Sequence, residues 1–139
     1  MEYNMNKIVV LKRLSVLLSQ VNYHKDFPAD LINLLSNSGQ EAKFLTIFQE
    51  RLKILLRYGP ETVNILPSKF EHLKGTGENL YSMHENNKDL NIRILYTFES
   101  DGTLLLLPFH ERQGKSKTNY TNYIPEALKR KLFKGDDES

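Results

Sequence analysis

The chain has 139 residues, 40% apolar and 26% charged, with 19 Lys and Arg against 17 Asp and Glu. This composition fits one domain with a modest two-layer core, and it excludes both a histone-like polycation and an acidic disordered chain. The absence of cysteine removes disulfide scaffolds, cysteine zinc sites and thiol nucleophiles, and makes the cytoplasm the expected compartment.

Residues 1–13 read as a leader. The apolar stretch from Ile8 to Val21 is interrupted by Lys12 and Arg13 and is too short to span a bilayer, so it belongs to the core. Its β-branched run favours a strand, while Ile8, Leu11, Leu14, Leu18 and Val21 also fit one face of a helix. A strand between Leu14 and Tyr23 is the preferred reading. Asp26-Phe27-Pro28 then starts a helix with a capping carboxylate and a first-turn proline, and Ser36-Asn37-Ser38-Gly39 stops it. A longer helix runs from Gln40 to Tyr58, with Phe44, Leu45, Phe48, Leu52, Leu55 and Leu56 on its apolar side and Gly59-Pro60 at its end.

From Phe70 the pattern becomes that of strands, over 78–84, 90–99 and 103–111. Asp101-Gly102 predicts a two-residue hairpin turn, since that pair accepts positive φ. A polar stretch from Gln113 to Asn119 precedes a last helix over 123–134, with Pro125 in its first turn. Residues 135–139 form a loose tail. The predicted class is therefore α+β: an N-terminal helical hairpin packed on an antiparallel β-meander, with a C-terminal helix, all in one domain over 1–139.

The hairpin carries the chemistry. With Asp101 and Gly102 as the loop, Ser100 pairs with Thr103 and Arg93 lies opposite His110, with Arg112 on the same face. The preceding strand returns His84 to the neighbourhood of Arg93, on the same face or the opposite one. Beyond His110 the cations Arg112, Lys115, Lys117, Lys129, Arg130, Lys131 and Lys134 face only Glu111 and Glu126, and Tyr120 and Tyr123 interleave with them. Phosphates want cations and unstacked bases want flat partners, so this stretch suits single-stranded RNA. The histidines have no metal-ligand spacing, Gly75-Thr76-Gly77 does not open a helix, and no serine triad is present.

Taken in order, Phe70-Glu71-His72-Leu73-Lys74-Gly75, Leu80-Tyr81-Ser82-Met83, Ile92-Arg93-Ile94-Leu95-Tyr96 and Leu105-Leu106-Leu107-Pro108-Phe109 resemble the RelE/HigB-type bacterial toxins. The phage-associated HigB-like branch is the nearest in pattern. Ile124, Ala127 and Arg130 echo the family's closing helix. The resemblance covers residues 70–131, extends over the hairpin 25–59, and does not reach the leader. It implies the toxin of a toxin–antitoxin pair: an mRNA interferase that inhibits translation, acting on the ribosome, with a small helix-turn-helix antitoxin as partner and no membrane association. It also implies endoribonuclease chemistry without metal or cofactor. Arg93 would then stabilise the phosphate, His110 or His84 would move protons, and Arg112, Lys115, Lys117, Tyr120 and Arg130 would hold RNA. His84 stands where the family carries an arginine, so the alternative expectation is a non-cleaving binding module, either a gyrase-directed relative or a degenerate toxin that binds its antitoxin.

Overall fold

The computed structural model describes residues 7–73, 79–86, 90–110 and 116–133. Helix α1 (Lys7–Leu18) leads into a two-residue strand β1 (Asn22–Tyr23), then helices α2 (Phe27–Leu35) and α3 (Glu41–Tyr58). A 3-10 turn and the short α4 (Thr62–Ile65) lead to strands β2 (Phe70–His72), β3 (Tyr81–Asn86), β4 (Asn91–Glu99) and β5 (Gly102–His110). Helix α5 (Ser116–Phe133) closes the described chain. The predicted α+β class is found. The sheet runs β1-β5-β4-β3-β2, with β1 parallel to β5 and the remaining pairs antiparallel. No helix among the described residues is long and apolar enough to cross a membrane.

The segment 14–23, read as a strand, is helical through Leu18 and extended only at Asn22 and Tyr23. Val10, Leu14, Leu17 and Leu18 are buried and recur at four, three and one, which is a helix stripe. Each β-branched residue costs a helix only about half a kcal/mol, while burying an aliphatic side chain stabilises by about 1.5–3 kcal/mol. Packing therefore overrides local propensity. Helix α2 begins and ends as expected, but Asp26 makes no side-chain cap. Its amide instead donates to His24 Nδ1 at 3.1 Å. Gly59 ends α3 at φ +57, a conformation that side chains disfavour, and its N–H reaches the Leu55 carbonyl.

Two apolar layers sandwich the sheet. Phe27, Leu31, Leu35, Phe44, Leu45, Phe48 and Leu55 from the helices meet Met83, Ile92, Ile94, Tyr96 and Leu105 on one face. On the other face Leu80, Leu95, Leu104, Leu106, Leu107 and Phe109 meet Ala127 of α5, and the Phe109 and Tyr123 rings stack at 4.3 Å. Helix α5 starts earlier than predicted, at Ser116, and Pro125 lies in its interior rather than its first turn. Pro125 is solvent-exposed, so the amide it lacks is missing from the wet side of the helix.

The β4–β5 register also differs from expectation. Glu99 pairs with Gly102, so the loop is Ser100-Asp101, and Gly102 at φ +121 ends the turn. A bulge then intervenes: Tyr96 faces Leu105 but Leu95 faces Leu107. The extra residue, Leu106, joins Leu107 in the layer beneath α5, and the strand beyond is shifted by one.

Candidate functional site

The shifted register changes which residues meet. Arg93 lies opposite Phe109, and His110 lies opposite Ile92. Ile92 belongs to the helical-hairpin layer, so the exposed His110 falls on the other face of the sheet from Arg93. The predicted Arg93–His110 pair is therefore corrected: a one-residue shift turns a side chain to the opposite face. Arg112 and Lys115 lie outside the described residues. Lys117 and Tyr120 fall within α5, with side chains outside the described set.

What the sheet does bring together is His84 and Arg93, which are direct cross-strand partners. The alternative of opposite faces is thereby removed. On the far side of His84, its amide donates to the Lys69 carbonyl at 2.9 Å, which carries the pairing one residue ahead of β2. Lys69, His84, Arg93 and Phe109 thus occupy one row across the sheet. The neighbouring row reads Glu71, Ser82, Leu95, Leu107. Helix α5 covers the apolar end of these rows, around Phe109 and Leu107, while the polar end lies toward the β2 edge.

Two contacts fix this polar end. His84 Nε2 and Asn91 Oδ1 are 2.8 Å apart, which fixes the orientation of the imidazole. Arg93 Nη1 is 3.7 Å from Glu71 Oε1; the Arg93 side chain is 15% exposed, and that of Glu71 is much more open. Half-buried cations of this kind strengthen their hold on an anion because the surrounding dielectric is low. Sequence reading missed Lys69, Glu71 and Asn91. Glu71 belongs to, and Lys69 directly precedes, an edge strand too short to declare itself, whereas Asn91, two residues before Arg93 on a strand, was accessible from alternation. No group of three His, Asp or Glu side chains that could hold a metal occurs among the described residues.

Arg130, expected among the RNA-binding cations, has a different position. Its side chain is 11% exposed; Nη2 lies 2.7 Å from Asp30 Oδ2 and Nε lies 3.0 Å from Glu126 Oε2. Nη1 donates to the Leu106 carbonyl at 2.9 Å. The guanidinium therefore ties α5 to α2 and to the bulge of β5, and is corrected from an RNA contact to a structural anchor.

Beside this anchor, His24 is buried, and burial together with the Arg130 charge holds its imidazole below the ordinary value of 6.5. Asp26 and Glu126 oppose that shift, and Lys25 adds to it. Folding thus favours neutral His24 while the unfolded chain protonates near pH 6.5. The contribution is fully present above that pH and is lost as pH falls below it toward the folded-state pKa. Urea midpoints at about pH 7.5 and about pH 5.5 should show the lower pH less stable, and His24→Gln should flatten part of that difference. An unchanged slope in the variant would assign the pH dependence to other groups.

No family model, curated protein or solved structure matches this chain.

Proposed function

We propose that the chain is the toxin of a toxin–antitoxin pair, a metal-independent endoribonuclease that cuts mRNA on the ribosome and so inhibits translation, held in check by a small helix-turn-helix antitoxin. The observation that carries this reading is the row Lys69–His84–Arg93, which sets an imidazole between two cations on one face of the sheet. Its support from sequence is the ordered resemblance over 70–131, and the helical hairpin, meander and closing helix occur in the order that resemblance implies.

The chemistry requires three acts. A base removes the proton of a ribose 2′-hydroxyl, whose oxygen attacks the adjacent phosphorus. The bond from phosphorus to the 5′-oxygen breaks, giving a 2′,3′-cyclic phosphate, and an acid returns a proton to the leaving oxygen. The His84 imidazole suits the first act, with Asn91 orienting the ring through Nε2. Arg93 suits the second, opposing the charge that builds on the phosphoryl oxygens, with Lys69 on the other side of His84 as a second cation. Lys117 and Tyr120, with Arg112 and Lys115, are proposed to hold flanking nucleotides. His110, on the opposite face, has no part in this step.

A second reading, a binding module without cleavage, is favoured by Glu71, whose carboxylate faces Arg93 and competes with a phosphate for it. Inducing the chain in a bacterial host and mapping RNA ends separates the two. New ends bearing cyclic phosphate within coding regions are expected. Growth arrest with intact mRNA and broken DNA would instead favour a gyrase-directed relative. Glu71→Gln should tighten binding of a short single-stranded RNA several-fold, about the worth of one exposed ion pair, as read by filter binding at low salt. Unchanged affinity would place the RNA away from Arg93.

A further inference from the structure

Helix α1 buries Val10, Leu14, Leu17 and Leu18, yet it leaves Ile8 63% and Leu11 46% exposed, and Val9 and Val16 are open as well. Isolated exposed aliphatics need no explanation, but several on one short helix do. The same helix carries Lys7, Lys12 and Arg13 and no carboxylate. Lys7 lines a cavity with Ile32, Leu35 and Asn37 at the C-terminal end of α2, so α1 and α2 run antiparallel. Between them lies a groove of about 400 Å³, with Leu11, Pro28, Ala29 and Ile32 along it and Lys7 and Lys25 at its two ends. Asn33 also lines it, and among the described residues no carboxylate does. Glu41 lines only the adjoining cavity of about 170 Å³.

A concave apolar floor with a cation at each end has a definite complement. A flat lipid surface does not enter a groove, whereas the apolar stripe of a helix does. The nine residues of α2 extend about 13 Å, so the two lysines suit carboxylates about two helical turns apart. We infer that the α1–α2 groove docks an amphipathic helix of a partner protein, with two or three aliphatic residues at three- and four-residue spacing and an Asp or Glu at each end of that stripe. The groove belongs to the helical layer, on the other face of the sheet from Arg93, so its occupancy is separable from any RNA chemistry.

The probes are labelled synthetic helices of roughly 16 residues, identical except that Glu, Gln or Lys flanks the leucine stripe. Fluorescence anisotropy with the full chain should show saturable binding of the Glu helix and about tenfold weaker binding of the Gln helix. The double variant Lys7→Glu, Lys25→Glu should reverse the order and prefer the Lys helix. Ala29→Arg, an exposed change on α2, should abolish binding of all three while circular dichroism stays native. Equal binding of the three helices, indifference to Ala29→Arg, or no saturable binding overturns the inference. Sedimentation of the chain with phosphatidylcholine vesicles containing about 30% phosphatidylglycerol, without helix binding, would assign the surface to a membrane instead.

Discussion

Arg93→Ala is expected to lower RNA cleavage by about 10²–10³-fold and to relieve growth arrest in cells, because a cation aimed at a developing oxyanion is among the largest single contributions to catalysis. The fold should survive. Arg93 meets Glu71 at 3.7 Å, and Glu71 is open enough to water to be rehydrated once its partner is gone, so losing this ion pair costs about 1 kcal/mol or less. Arg93→Lys should fall between, keeping the charge but losing the planar fork that can hold two phosphate oxygens at once. Single-turnover cleavage rates, with urea midpoints measured on the same preparations, separate lost chemistry from lost structure. A folded Arg93→Ala protein with unaltered cleavage would remove Arg93 from the mechanism.

The largest effect on stability is expected at Arg130. Truncation to Ala leaves Asp30 and Glu126 without this cation and the Leu106 carbonyl without this donor, at a point where α2, α5 and the β5 bulge are joined. Breaking a fully buried pair costs about 3–5 kcal/mol; here both carboxylates keep partial access to water, which lowers the expectation to roughly 2–3 kcal/mol. The loss should be concentrated in α5. Amide exchange around Ala127 and Leu128 should accelerate more than exchange in Phe44–Leu55 of α3. Arg130→Lys should recover part of the stability through one ion pair but not the three-way geometry. A variant as stable as the parent would show that α5 is held by its apolar contacts alone.

The parts of the fold readable from sequence were those whose ends are marked by backbone chemistry. Pro28, the Ser36–Gly39 run and Gly59-Pro60 bound α2 and α3 because these residues favour or forbid particular φ values whatever the tertiary context. Helix α1 was hidden because Ile8-Val9-Val10 carry strand propensity, and only the burial of Val10, Leu14, Leu17 and Leu18 decides against it. Strand β1 is two residues long and owes its form to pairing with β5, more than eighty residues away in sequence. The site was half legible. That His84 and Arg93 come together follows from the meander, but their shared face depends on register. The separate β4–β5 register, which takes His110 off that face, turns on whether Leu106 or Leu107 occupies the regular place, a packing choice between two identical side chains. Arg130 misled for a related reason: a basic helix looks like a ligand surface until the carboxylate that claims the cation, Asp30, is brought in from a distant helix.

The central claim is that Arg93 and His84 form an RNA-cleaving pair on one face of the sheet. It is tested most directly by incubating a defined mRNA on programmed ribosomes with the purified protein, its Arg93→Ala variant and its His84→Gln variant, and identifying the chemistry of any new 3′ ends. Cyclic phosphate ends produced by the parent chain and lost in both variants are the predicted result. Intact mRNA with the folded parent chain, or cleavage that neither substitution affects, would contradict it.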